Sequence, residues 1–233
     1  VSPSLDDHDD GGPLWDRRSC LDVGALPRPQ AVAPVEVSPG AAEMSIETRD
    51  QPPAGKIVLT YEDYCALPDD GRRYEILDGE LYMTPSPSRA HQRFSGNLFV
   101  ILHTYVREGS VGEVFIAPFD VILAKTTVVV PDLVFVRRER LDIVTNRGIE
   151  GAPDLVVEIL SPDSARRDRV DKAQLYARHG VRHYWLVDPD AKTVETFELV
   201  EGRYHRTAHL AGDATFRPSV FPGLTISLSS LWE

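Results

Sequence analysis

The chain has 233 residues, 42% of them hydrophobic, and a formal net charge of −11, which suits one domain with an appendage. No apolar stretch reaches the ~18–20 residues of a membrane span, and two cysteines, Cys20 and Cys65, cannot build a disulfide framework or a zinc cluster. The acidic total argues against coating nucleic acid by bulk electrostatics.

In chain order, residues 1–55 come first. They hold ten acidic residues against four arginines, a charge of −6, together with eight of the 18 prolines. Such a segment buries too little apolar surface to offset its ordering entropy, so a disordered tail is expected. It has no basic-then-apolar leader, so the expected location is the cytoplasm. The remaining −5 belongs to an expected folded domain, residues 56–233, in which Arg137, Arg138 and Arg140, and then Arg166, Arg167 and Arg169, form basic clusters.

The domain should begin near Ile57. Thr60 and Asp63 read as an N-cap and its partner, starting a short helix that runs to Leu67 and stops at Pro68. Tyr74–Leu77 and Glu80–Met83 flank Asp78-Gly79 and predict a hairpin. Ser88–Glu108 predicts a long helix ending at Gly109, with Phe94, Leu98, Ile101, Leu102 and Tyr105 on one apolar face. Strands follow at Glu113–Ile116, Phe119–Ala124, Val128–Val136 and Asp154–Leu160, the last apolar enough for burial on both faces. A helix over Ala165–His179 closes at Gly180. Val181–Val187 is a further strand, and Thr193–Leu199 pairs with Tyr204–Leu210 around Glu201-Gly202. Hairpins combined with a strand–helix–strand crossover give an α/β (α+β) domain with a mixed sheet flanked by helices.

Nucleotide cradles and a serine-hydrolase elbow are not supported, because their glycine patterns are missing. His205 and His209 fall on a strand pattern and read as a solvated face. The informative residues are two acids embedded in apolar strands, Asp132 and Glu158. A carboxylate there is costly to desolvate unless it is paired, hydrogen-bonded or bound to a cation. Strand period two puts Asp154, Val156, Glu158 and Leu160 on one face. The two acids could jointly bind a hard divalent cation such as Mg²⁺. The basic helix after them carries Arg166, Arg167, Asp168, Arg169 and Lys172. Lys172 is either the partner of Asp168 in an ordinary i,i+4 pair or an ammonium pointing back over Glu158 to orient a water. Arg166, Arg167 and Arg169 could hold flanking phosphates.

Further text carries a resemblance: Arg73-Tyr74-Glu75-Ile76-Leu77-Asp78-Gly79-Glu80-Leu81, Pro85-Ser86-Pro87-Ser88 with His91, Pro131-Asp132, Val157-Glu158-Ile159-Leu160-Ser161-Pro162, Asp168 with Lys172 and Tyr176, Tyr184-Trp185-Leu186-Val187-Asp188-Pro189, and Phe221-Pro222-Gly223-Leu224. In order and spacing, over about residues 58–231, this resembles the Uma-two family of restriction-endonuclease-like proteins within the PD-(D/E)xK nuclease superfamily. The resemblance implies a restriction-endonuclease-like mixed sheet and Mg²⁺-assisted phosphodiester hydrolysis. In the superfamily's usual motif a lysine stands two residues after the acid; here that position is Leu160, and the resemblance implies that the role has moved to Lys172. It also implies Glu75 as a third acid and His91 as an accessory group. For each there is a plainer reading: Glu75 paired with Arg72 or Arg73, and His91 facing water.

The expectation is therefore a nuclease acting on DNA. Asp132, Glu158 and the main-chain carbonyl of Ile159 would hold Mg²⁺ (Mn²⁺ as a substitute), and Lys172 would assist the attacking water. A homodimer would suit cutting of both strands. Two alternatives stand beside it: a non-catalytic nucleic-acid-binding or assembly module on the same scaffold, and an interaction protein that docks through its acidic tail.

Overall fold

The structure, a computed structural model, describes residues 57–233. The expectations for residues 1–55, including Cys20, lie outside the described residues. Val58–Glu233 form one compact unit.

The capping box expected at the start of the domain is present. Asp63 Oδ2 accepts from the Thr60 N–H at 2.8 Å, and Thr60 Oγ1 accepts from the Asp63 N–H at 3.4 Å, opening α1 (Tyr61–Cys65). β1 (Arg73–Leu77) and β2 (Glu80–Thr84) then pair antiparallel. Their turn has φ of 50° at Asp78 and 82° at Gly79, the left-handed pair that a tight two-residue hairpin demands. Ser88 caps α2 (Arg89–Gly109) by accepting from the His91 N–H at 3.2 Å. Phe94, Leu98, Leu102 and Val106 are its buried stripe, one residue every turn. The helix ends one residue later than expected: Gly109 is still helical, and Ser110 takes the left-handed cap at φ 50°.

β3 (Gly112–Ile116) and β4 (Val121–Ala124) follow. The expected strand over Val128–Val136 is in fact two, β5 (Thr127–Val129) and β6 (Leu133–Arg137), and they belong to different sheets. Pro131 has no N–H for a ladder, and the Val130 N–H donates to Glu75 Oε1 at 2.9 Å instead of to a strand. The chain therefore crosses from one sheet to the other at Val130–Asp132. A 3₁₀ turn (Arg138–Ile143) leads to β7 (Val144–Thr145), β8 (Gly148–Glu150) and the buried β9 (Leu155–Ile159).

The expected regular helix over Ala165–His179 also differs. It opens with a wider π-helical turn, Arg167–Lys172, before α3 (Ala173–His179), and Gly180 closes it at φ 83°. Then come β10 (His183–Asp188), β11 (Thr193–Val200), β12 (Arg203–Ala211), β13 (Thr215–Phe216), β14 (Ile226–Ser227) and α4 (Ser229–Trp232). His205 and His209 are exposed on β12, as expected.

The expected mixed-sheet α/β architecture is present, built as two mixed six-stranded sheets and a short two-stranded one. The first sheet runs β2-β1-β5-β4-β8-β7 and the second β12-β11-β10-β9-β6-β3. β9 lies inside the second sheet, parallel to β10 and antiparallel to β6. Its side chains divide by strand alternation. Leu155, Val157 and Ile159 pack with α2 and the C-terminal Phe216 and Phe221, while Val156 packs with Tyr176 of α3 and with Val121 and Ile149 of the first sheet. Each fully buried valine or leucine contributes roughly 1.5–3 kcal/mol, so the register of β9 is strongly held. Glu158 shares the Val156 side. No helix among the described residues is long and apolar enough to cross a membrane.

One glycine ties the first sheet together. Gly148 has φ 131°, and a Cβ there would lie 2.3 Å from the backbone oxygen of Asp120. That oxygen also accepts from the Ile149 N–H at 2.9 Å and cannot retreat without loss of the bond. Gly148→Ala should lower stability by about 1–3 kcal/mol, seen as a lower urea midpoint at unchanged m-value; an unchanged midpoint would contradict the geometry.

Candidate active site

Asp132 stands where the chain enters β6. Its carbonyl accepts from the Ala117 N–H at 2.9 Å, and its Oδ2 accepts from the Ile159 N–H at 2.7 Å. The latter contact ties the start of β6 to the end of β9. The other oxygen, Oδ1, lies 3.1 Å from His91 Nε2 on the first turn of α2. His91 is thus turned inward rather than facing water, and its Nδ1 is buried without a hydrogen-bond partner among the described residues.

Lys172 closes the π-helical turn and reaches inward. Its Nζ lies 2.8 Å from Glu75 Oε1, 3.0 Å from Glu158 Oε1 and 3.6 Å from Asp168 Oδ1. The first two are hydrogen bonds and the third is too long for one. Lys172 is thus the i,i+4 neighbour of Asp168 and also reaches back to the carboxylates of two strands, Glu75 on β1 and Glu158 on β9. Glu75 is bonded by Lys172 and the Val130 N–H, so the plainer reading of a pair with Arg72 or Arg73 is not what the fold makes. Tyr176 donates to Glu158 Oε1 at 2.6 Å, and Tyr184 donates to the Asp168 carbonyl at 2.8 Å, pinning the widened turn to β10.

The electrostatics follow from four acids, Glu75, Asp132, Glu158 and Asp168, lining one pocket with a single lysine. Burial pulls the Lys172 ammonium down, but Glu158, Glu75 and Asp168 outweigh it and hold its pKa well above the ordinary lysine value. Burial pushes the Glu158 carboxyl well above its usual range; Lys172 opposes this, and Asp168, Asp132 and Glu75 add to it. Asp168 is raised for the same reasons, against the pull of Lys172 and a hydrogen bond from Ser164. Lys172, the one buried cation among the described residues, does not balance the three buried acids Glu75, Glu158 and Asp168.

Glu75, His91, Asp132, Glu158, Ile159, Arg167 and Lys172 all line this pocket. Arg166 and Arg169 do not. Arg166 points outward with its guanidinium 4.0 Å from Asp171, and Arg169 pairs with Glu195 on β11 at 2.5 Å. The widened turn spreads the three arginines around its circumference, so only Arg167 faces the opening, its guanidinium 4.7 Å from the Tyr82 ring centroid. Two members of the site are not among the residues expected from sequence, Arg73 at the pocket rim and Asp168 as a buried acid. The fourfold spacing of Asp168, Lys172 and Tyr176 is the signal that points to the latter.

Among the described residues no three His, Cys, Asp or Glu side chains sit close enough to form a metal cage by themselves. What the pocket offers a cation is two carboxylates, Asp132 and Glu158. Both are oxygen donors in surroundings with excess negative charge, the chemistry that suits a hard divalent ion keeping several waters. The interior space is about 50 Å³, room for an ion and a few waters at ~10–15 Å³ each. A larger substrate must approach from the rim, where Arg73 and Arg167 stand.

Residues 61–229 match the family model Uma2, described as "Putative restriction endonuclease". The fold is similar to the crystal structure of a protein described as a putative nuclease belonging to DUF820 from Anabaena variabilis. The TM-score is 0.63 at 22% identity, covering 75% of this chain and 97% of that one. At that identity the likeness is one of fold. A second solved structure, the type IIG restriction endonuclease BpuSI, aligns over 51% of this chain and 13% of its own at 16% identity, with a TM-score of 0.32. That likeness is too slight to define a shared fold. No curated protein matches the sequence.

Proposed function

The chain belongs to the Uma2 family of restriction-endonuclease-like proteins, and from that premise we propose that it hydrolyses DNA phosphodiester bonds with the help of Mg²⁺ or Mn²⁺. The observation carrying the proposal is the helix-borne Lys172 ammonium, 3.0 Å from the Glu158 carboxylate in the pocket that also holds Asp132. Asp132, Glu158 and the Ile159 carbonyl are the groups that would hold the ion. When bound, the ion polarises a phosphoryl oxygen and lowers the pKa of a water.

The rest is done by the chain's own residues. The Ile159 N–H fixes the Asp132 carboxylate. Lys172 and Tyr176 both bond Glu158 Oε1, so its rotamer is set, and Oε2 accepts no hydrogen bond among the described residues and is left for a ligand. Glu75 and Glu158 use two of the three Lys172 donors. The remaining donor orients the attacking water and offsets charge that develops on the phosphate. Arg73 and Arg167, at the mouth, suit forked bonds to that phosphate's neighbours. A two-fold dimer would bring two such sites to a duplex.

Purified full-length protein should nick or linearise supercoiled plasmid with Mg²⁺ and do neither in EDTA, and Asp132→Ala purified alongside should be inactive. Equal cutting by parent and variant would overturn the assignment. A second reading, a non-catalytic nucleic-acid-binding or assembly module, is favoured by Leu160 at the superfamily's lysine position. It predicts no cutting and no Mg²⁺-dependent rise in Tm, whereas ion binding at 100 times its Kd would stabilise the fold by about 2.7 kcal/mol.

A further inference from the structure

A second concave site lies beside the first turns of α2. It is a cavity of about 300 Å³ lined by Arg89, Arg93 and Lys192, with Phe94, Leu231 and Trp232 as its wall. Arg89 and Arg93 are four apart and so share one helix face. Lys192 comes from the turn between β10 and β11, where its backbone is left-handed at φ 52°. Trp232 is a rigid part of the wall, its indole N–H donating to the Gly212 carbonyl at 2.8 Å and its ring 5.0 Å from Phe94.

Among the described residues none of these three cations has a side-chain ion pair or hydrogen bond, and the first turn of α2 holds no acid. In a chain of net charge −11, three exposed, unpaired cations lining one concavity make a local positive patch that suits an anion. Their position is equally informative. Pro87 and His91 line the acidic pocket while Arg89, Ala90 and Arg93 line this one, so the two open on either side of the same helix turns. Lys192 follows β10, whose Leu186 and Val187 pair with Glu158 and Ile159.

We infer that Arg89, Arg93 and Lys192 form an auxiliary anchor for the phosphates of duplex DNA flanking the phosphate held at the acidic pocket. The inference rests on the nuclease reading of that pocket and adds how the substrate is held. It explains how an acidic protein binds a polyanion: the contact is local, on two cationic patches flanking the acidic pocket, Arg73 with Arg167 and this one.

The test is binding rather than turnover. Fluorescence anisotropy with a labelled duplex in EDTA, over a salt series, compares the parent with the triple variant Arg89→Gln, Arg93→Gln, Lys192→Asn. Asparagine is chosen because it tolerates positive φ. Each phosphate contact contributes about 0.9 to the slope of log K against log salt. The variant's slope should therefore be shallower by about 2–3 and its affinity near 0.1 M salt weaker by on the order of 10²-fold. Arg89→Lys with Arg93→Lys should keep most of the affinity, which separates lost charge from lost fold. Unchanged affinity and slope in the triple variant would overturn the inference. So would a parent that binds no duplex, whereas the nuclease reading stands or falls separately on Mg²⁺-dependent plasmid cutting by the parent. Loss of binding in the triple variant of a parent that binds but never cuts would uphold the anchor and sink catalysis alone.

Discussion

Lys172→Met should destabilise the domain by about 3–5 kcal/mol, the cost of leaving a buried ionic group without its partner. An exposed Asp–Lys pair would cost less than about 1 kcal/mol, so the magnitude itself distinguishes the two environments. The lysine is 4% exposed and Glu75 1%, and among the described residues the ammonium is the only cation paired with Glu75, Glu158 and Asp168. Methionine replaces its unbranched stem without the ammonium and leaves those carboxylates desolvated together. They can then relax only by taking up protons.

The pH dependence has a definite sign. Lys172 has a folded pKa raised above the lysine value, so its contribution is complete below that value and fades only as pH rises through the higher folded one, in strong alkali. Glu158 is also raised, so its neutral form is the one the fold tolerates, and stability drains as pH climbs from the ordinary carboxylate range through its folded pKa. The Lys172→Met protein should therefore be less damaged at pH 5 than at pH 8 in urea unfolding. Adding Glu75→Gln and Glu158→Gln should restore much of the loss. A pH-independent cost below about 1 kcal/mol would mean that the network is solvated.

Glu158→Gln should divide stability from activity. DNA cleavage is expected to fall by at least about 10–100-fold, the loss typical even for groups that only support a metal ligand. Stability without metal should instead rise by about 0.5–2 kcal/mol, a common return for relieving a functional site. The physical basis is the same crowding: the amide oxygen can still accept from Lys172 and Tyr176, but it brings no charge into a pocket already over-supplied with it. A variant that cuts like the parent would remove Glu158 from the chemistry. One that unfolds more readily would mean that the carboxylate is a net support of the fold.

Several elements are legible from local pattern alone. The hairpin around Asp78-Gly79 needs positive φ at consecutive residues, and few dipeptides satisfy that. The stripe of α2 and the alternation in β9 follow from 3.6- and twofold periodicity, which also put Glu158 on the face where it is found. Composition marks Asp132 and Glu158 as unusual, because carboxylates seldom sit in apolar strands without a reason. The resemblance to the family supplies Glu75, His91 and Lys172 as companions.

Other features are outside the reach of local pattern. An unbroken β-rich run hides the crossing at Val130–Asp132, because the competing bond partner, Glu75, lies 55 residues earlier in the chain. Arg166, Arg167 and Arg169 look like one cluster, yet a wider helical turn sends one to solvent, one to the pocket and one to Glu195. Side-chain types, periodicities and the acidic excess were determined by the sequence alone, since types and charge are composition and periodicity involves only residues within a turn or two of one another. Whether the Lys172 ammonium meets two strands, and whether Arg89 and Arg93 join Lys192, was decided only in the tertiary structure. Charges 97 residues apart, as for Lys172 and Glu75, interact through distance and dielectric in space, and both are set by how the two sheets and the helices exclude water between them.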